Sequence, residues 1–191
     1  MQVRLPAFLV AVAAVAVVNG CNSTGIKAQL ENVDHPDAVV YALNGTPARF
    51  PAAILFRANG VVIVDASFLF DLAFDLDTAA NVKVYTVRAI ASQFATAHRV
   101  GLTTTTQTFA QVTRAPTTGY VYDSSMVLPV GRTLLVDVID PNCNQFSILG
   151  QDIRAKLVID SVKAAAKTIY VHFLVNQNCG FRSLVEGLPA D

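Results

Sequence analysis

The chain has 191 residues, of which 53% are hydrophobic, and its 14 basic and 14 acidic side chains give a formal net charge of zero. This length fits one domain with a core large enough to be stable alone. The basic residues form no cluster. The charge pattern therefore argues against a nucleic-acid partner, whose binding depends on phosphate contacts, and against a polybasic membrane-binding segment.

The first twenty residues have the pattern of a secretory signal. Residues 1–4 carry one positive side chain, and residues 5–18 form an apolar run interrupted only by Pro6. The run is shorter than the ~20 apolar residues that a membrane-spanning helix needs. Its length suits the apolar region of a signal peptide. We therefore predict that residues 1–20 are a signal peptide.

The segment Val18-Asn19-Gly20-Cys21 resembles the lipobox of bacterial lipoproteins, with Val and Asn in the places usually held by Leu and by Ala or Ser. The resemblance implies a lipid on Cys21 and membrane attachment through at least two acyl chains, enough for stable anchoring. It also implies the outer rather than the inner membrane of the bacterial envelope, because Asn22 and not Asp follows the cysteine. The alternative is cleavage by an ordinary signal peptidase after Gly20, which would give a soluble periplasmic or secreted protein.

The chain contains three cysteines, Cys21, Cys143 and Cys179. An odd number in an exported protein needs an explanation. If Cys21 carries a lipid, Cys143 and Cys179 remain as a pair that can form a disulfide in an oxidising compartment. The alternative is three buried free thiols. No CxxC motif indicates redox chemistry or a zinc ribbon.

A polar segment, residues 21–37, follows the signal and is predicted to be a tether to a domain that spans residues 38–191. The clearest strand signal is residues 67–77, in which three phenylalanines share one face of an alternating pattern. Asn59-Gly60 predicts a hairpin turn. Further strands are predicted at residues 39–43, 53–58, 82–91, 103–108, 119–128, 133–139, 154–160 and 168–175.

About nine strands separated by turns, with no long helix, predict an all-β fold. The expected architecture is an antiparallel β-sandwich, immunoglobulin-like or similar. The chain has no Trp, so the Cys…Trp…Cys spacing of antibody-type domains is absent and the core must rest on other apolar side chains. The immunoglobulin comparison therefore concerns architecture only.

Two pairs of residues are candidate binding sites. Asp75 and Asp77 are two residues apart on the predicted strand and could share a calcium ion with loop oxygens; the alternative is a solvated strand face that also includes Asp71. Phe181 and Arg182 follow Cys179 and could form an aromatic and basic contact surface. The alternative there is that Phe181 fills the end of the core.

The three histidines, His35, His98 and His172, lack metal-ligand spacing, so we predict no metal and no cofactor. The motifs of serine hydrolases, zinc proteases and nucleotide-binding loops are also missing. Our first hypothesis is therefore a non-catalytic binding or structural module of the envelope, with a protein or glycan partner.

Two alternatives remain. One is a secreted or periplasmic hydrolase with a site assembled across loops, which a pocket containing His98 or His172 beside a carboxylate would favour. The other is an assembly or carrier subunit that donates an edge strand to a partner, which a long uncovered edge strand would favour.

Overall fold

Two antiparallel sheets, one of six strands and one of five, pack face to face around a common apolar core. The structure, a computed structural model, describes residues 27–92, 98–145 and 150–189. The predicted all-β sandwich is confirmed. The described residues contain eleven strands rather than about nine, partly because strands such as β3 (Gly60–Val62) and β7 (Val121–Tyr122) are too short to produce an alternating pattern.

The six-stranded sheet contains the longer strands. In spatial order they are β1 (Val33–Tyr41), β11 (Thr168–Asn176), β10 (Asp152–Lys163), β9 (Thr133–Ile139), β6 (Arg99–Thr105) and β7. Alternate residues of β11 enter the core, where Ile169, Val171 and Phe173 have no exposed surface. Branched and aromatic side chains favour this half-buried, pleated surface.

The five-stranded sheet forms the other layer. Its spatial order is β3, β2 (Ala53–Leu55), β4 (Leu72–Leu76), β5 (Val82–Thr86) and β8 (Ser125–Leu128). The helical pieces are α1 (Val87–Ile90) and the 3₁₀ turns Phe56–Ala58, Pro141–Gln145 and Ala164–Ala166. No helix in the described part of the chain is long and apolar enough to cross a membrane.

Phenylalanine fills much of the space between the layers. Phe56, Phe70, Phe74 and Phe173 are fully buried. Phe56, which follows β2, meets Phe173 of β11 edge to face, with ring centroids 6.2 Å apart. Burial of each such side chain stabilises the fold by about 1.5–3 kcal/mol, so these rings supply much of a core that contains no tryptophan.

The segment 67–77 is not the single two-faced strand that its alternation predicts. Only β4 is extended, and its residues 72–75 are buried on both faces. The chain turns before it: Phe68 has φ +49° and the Phe70 N–H donates to the Phe68 carbonyl at 3.1 Å. The prediction failed because alternation cannot distinguish a solvated face from one covered by neighbouring loops.

The predicted turn at Asn59-Gly60 is confirmed as part of a hairpin. β2 and β3 pair antiparallel, with Leu55 opposite Gly60. The connection includes the 3₁₀ turn after β2, and Asn59 closes it in the left-handed region at φ 54°. Asn is one of the residues that tolerate this conformation.

A second layer covers the outer face of the six-stranded sheet. Leu135 and Leu174 on that face pack with Val112, Leu184 and Ala115 from the loop before β7 and from the C-terminal segment. The same loop covers the side chain of Lys156 on β10, which donates hydrogen bonds to two carbonyl oxygens of the loop. The outer face therefore has a small apolar core of its own.

This lysine, Lys156, is almost fully buried. Its Nζ donates to the carbonyl oxygens of Phe109 at 2.9 Å and Val112 at 2.8 Å. Burial lowers the pKa of Lys156, as desolvation does for a cationic group.

The ordered domain begins before the predicted boundary at residue 38, since β1 starts at Val33. Upstream of β1, the backbone N–H groups of Gln29 and Leu30 donate to Asn178 Oδ1 at 2.8 and 2.9 Å. The last part of the predicted tether, residues 21–37, is therefore held against the domain. Residues 1–26, with the predicted signal peptide and Cys21, lie outside the described residues.

The predicted disulfide is present. Cys143 follows β9 and Cys179 follows β11, and the two are bonded across 36 residues of sequence. Cys143 is fully buried beside the main core. The bond therefore joins two loops at one end of the sandwich.

Replacing both Cys143 and Cys179 with Ala should lower the free energy of unfolding by about 2–4 kcal/mol, because the bond restricts the unfolded chain. Urea unfolding followed by circular dichroism measures this change. Cys21→Ser is the control and should leave the unfolding free energy unchanged. Equal stability of the double variant and the parent would contradict the predicted contribution.

Candidate functional site

The two carboxylates of the predicted Asp75–Asp77 cation site have different environments. Asp75 is buried and accepts hydrogen bonds from the backbone N–H groups of Asn44 at 3.1 Å and Leu76 at 2.9 Å, and from Asn44 Nδ2. Asp77 is in an exposed turn, where hydrogen bonds from Asn81 lower its pKa. Each carboxylate is engaged by protein donors, which does not favour the predicted shared calcium ion. The alternative of a solvated face was wrong for Asp75.

Phe181 and Arg182 do not form the predicted contact surface. Phe181 is only 4% exposed, so it belongs to the interior. Arg182 donates from Nε to the Ala115 carbonyl oxygen at 2.8 Å. The pair therefore fastens the C-terminal segment to the loop before β7, because burial and backbone carbonyls satisfy both side chains.

Two histidines have structural contacts. His35 stacks on Phe173 with centroids 4.4 Å apart. His172 is paired with Asp34 at 2.8 Å and packs against Phe109. Within the described ranges, no group of three or more His, Cys, Asp or Glu side chains could hold a metal ion.

The third histidine, His98, lies in a cleft of about 430 Å³ at the end of the sandwich where β9 ends and β10 begins. This volume is within the range of small-molecule sites. Its apolar lining includes Leu55, Phe68, Leu69, Val138 and Ile153. Its polar lining comprises Arg57, Ser67, Asp71, His98, Asp140 and Asn142.

A buried ion pair forms one wall of this end cleft. His98 Nε2 lies 2.5 Å from Asp71 Oδ1, and the two side chains are 18% and 2% exposed. Asp71 Oδ2 also accepts a 2.6 Å hydrogen bond from the Phe56 N–H. Burial acts to lower the pKa of His98, but the hydrogen bond and charge of Asp71, aided by the charge of Asp140, outweigh burial and raise it.

A second ion pair lies at the mouth of the cleft. The Arg57 Nε donates to Asp140, and the Arg57 side chain is 47% exposed. Burial acts to raise the pKa of Asp140, but hydrogen bonds from Arg57 and Asn142 hold it below the usual value. Gln177 donates to the Arg57 carbonyl oxygen at 2.6 Å and so joins this wall to the end of β11.

The loop before β4 supplies the apolar lip. The Asp65 carboxylate accepts hydrogen bonds from the Ser67 N–H at 2.9 Å and from Ser67 Oγ at 2.5 Å. This turn, followed by Phe68 with positive φ, directs the loop over the cleft. Leu69 on the loop is 62% exposed, so its apolar side chain is available to a ligand in the cleft.

The serine hydroxyl of the described cleft is hydrogen-bonded away from the histidine. Among the described residues that line the cleft, Ser67 is the one with a hydroxyl group that could act as a nucleophile. That hydroxyl donates a hydrogen bond to Asp65 rather than to His98. A serine nucleophile needs a neighbouring base that takes its proton. Cys143, which lies nearby, is in the disulfide.

Sequence reasoning missed most members of this site. His98 beside a carboxylate had been named as a feature that would favour a hydrolase, but Asp71 was assigned to a solvated strand face and Arg57 was not considered. The nearest signal was the predicted disulfide at Cys143, because Asp140 lies three residues before it in the same loop. That signal does not reveal which residues face Asp140.

The sheet edges offer little room for strand addition. In the described chain the edge strands are β1, β7, β3 and β8, and the last three have two to four residues each. β1 is longer, but its register shifts between His35 and Ala38, around Pro36. Short, bulged and proline-containing edges resist pairing with another chain, so they do not favour the assembly-subunit hypothesis.

Comparison with protein-family models, with curated proteins and with solved structures found no match.

Asp71→Asn should lower the pKa of His98, because the substitution removes the charge that opposes the effect of burial. The raised pKa stabilises the fold fully below the unfolded histidine value of ~6.5, and this contribution disappears as pH rises through the folded value. The variant's unfolding free energy should therefore depend less on pH in that window. Histidine NMR titration and urea unfolding measure both effects.

Asp34→Asn, beside His172, is the control and should leave the His98 titration unchanged. An identical His98 titration in Asp71→Asn and the parent would contradict the assigned pair.

Proposed function

We propose that the protein is an exported, lipid-anchored binding module of the bacterial envelope whose end cleft binds a monoacyl amphiphile. The observation that carries the proposal is the cleft itself, which combines a largely apolar lining with two ion pairs, His98–Asp71 and Arg57–Asp140. Small-molecule sites typically have this composition, in which apolar surface supplies affinity and a few polar groups fix orientation.

The apolar side chains of the cleft suit the acyl chain of such a ligand, and the polar side chains suit its head group. Phe68 and Leu69 provide apolar contact for an acyl chain, and covering the exposed Leu69 side chain removes its apolar surface from water. Arg57 lies at the mouth with its Nε directed at Asp140. A guanidinium carries five N–H donors, so a head group that accepts hydrogen bonds can use those that Asp140 does not.

Export and anchoring are supported by two independent features. The lipobox-like segment places Cys21 directly after the signal-like run. The Cys143–Cys179 disulfide accounts for the other two cysteines and fits an oxidising compartment. With Asn22 after the lipid site, we place the protein at the outer membrane.

A second candidate function is an exported esterase, favoured by the position of His98 beside Asp71 in the cleft. A carboxylate that holds an imidazole is the arrangement of a general base. Hydrolysis of a chromogenic fatty-acid ester that is lost in His98→Ala and retained in His172→Ala would support this candidate. The engaged Ser67 hydroxyl leads us to expect no hydrolysis.

A dansyl-labelled fatty acid should bind the full chain with saturable fluorescence enhancement and should be displaced by dodecanoate. Leu69→Ala should weaken binding about tenfold, because it removes roughly 1.4 kcal/mol of apolar contact. Fluorescence titration of the variant and parent measures this change.

Leu188→Ala is the matched control, since Leu188 is 60% exposed and Leu69 62%, while Leu188 does not line the cleft. It should bind the probe as the parent does. Binding that is not saturable, or equal weakening in both variants, would contradict the proposed site.

A further inference from the structure

Two short segments pair beside the start of β1 to form what we call the terminal ribbon, residues 30–33 and 185–188. Asn32 and Gly187 exchange backbone hydrogen bonds of 2.8 and 3.1 Å. The Asn32 side chain is buried and donates through Nδ2 to the carbonyl oxygens of Ser183 at 3.0 Å and Val185 at 2.8 Å. The ribbon is therefore fixed to the domain by hydrogen bonds.

The ribbon nevertheless exposes apolar side chains. Leu30 is 50% exposed, Val33 39%, Val185 50% and Leu188 60%. They are four of the ten large apolar side chains that are exposed among the described residues. Four such side chains on two paired segments make the ribbon a candidate surface for an apolar partner.

The position of the ribbon identifies that partner. Leu30 is held close to Lys27, where the described chain begins. The nine residues from Cys21 to Leu30 can span at most about 32 Å when fully extended. A lipid on Cys21 would therefore keep the start of the ribbon within that distance of the bilayer surface.

We infer that the terminal ribbon inserts its apolar side chains into the interfacial region of the bilayer that holds the Cys21 lipid. This inference rests on the proposed lipid anchor. The ribbon carries Glu31 and Glu186 and no basic residue, so the contact is apolar and suits zwitterionic phospholipid. High salt should not release it, in contrast to attraction between basic segments and anionic lipid.

The contact would also orient the cleft. Asn178, which accepts the hydrogen bond from Leu30, is next to Gln177, which donates to the Arg57 carbonyl oxygen in the cleft wall. The ribbon and the cleft therefore share one end of the sandwich. An amphiphile could pass between the bilayer and the cleft without crossing the length of the domain.

Two single-cysteine probes test the contact on the lipidated full-length protein purified from host membranes. Val185→Cys lies on the ribbon, and Val127→Cys lies on β8, at the edge of the five-stranded sheet remote from β3. The two valines are each 50% exposed, so the positions are matched. Each thiol is labelled with an environment-sensitive fluorophore, and the protein is reconstituted in phosphatidylcholine vesicles that contain a quencher lipid.

We expect quenching roughly threefold stronger at position 185 than at 127, because interfacial insertion brings a side chain to the acyl boundary. The difference should persist at high salt. Equal quenching at the two positions on lipidated protein would overturn the ribbon contact and leave the anchor intact. The parent chain takes no label if Cys21 is acylated, because the other two cysteines are bonded. Labelling of the parent at Cys21 would overturn the anchor and the ribbon contact together.

Discussion

The carboxylate of Asp71 connects the segments that form the end cleft. It accepts a hydrogen bond from the Phe56 N–H after β2 and pairs with His98 before β6. The Asp71 carbonyl also accepts from the Val87 N–H at the start of α1. A buried carboxylate is costly unless it is paired and hydrogen-bonded. Loss of any of these partners should therefore destabilise the fold at this wall of the cleft.

The features with functional meaning lie at one end of the sandwich. The disulfide joins the loops after β9 and β11 there, and the cleft opens beside the same β9 loop. Gln177 and Asn178 link the cleft wall to the segment that leads back to Cys21. The proposed anchor at Cys21 would therefore place this end at the membrane, and the same end contains the apolar cleft.

The sequence predicted the sandwich well because strand alternation is a local signal. The predicted strand at residues 133–139 is β9, and the predicted hairpin at Asn59 is present. The site was not predictable in the same way. The role of Asp71 depends on Phe56 and His98, distant residues that only the folded chain brings together. The burial of Phe181 likewise depends on how the C-terminal segment packs, which no local pattern encodes.

The proposed function and membrane orientation depend most on the anchor at Cys21, and intact mass is the most direct test of that anchor. The protein would be purified from host membranes and alkylated with and without prior reduction. We expect a chain that starts at Cys21, carries the mass of at least two acyl chains and takes two alkyl groups only after reduction. An unlipidated mass, with an alkyl group added to Cys21 before reduction, would contradict the anchor and the membrane orientation derived from it.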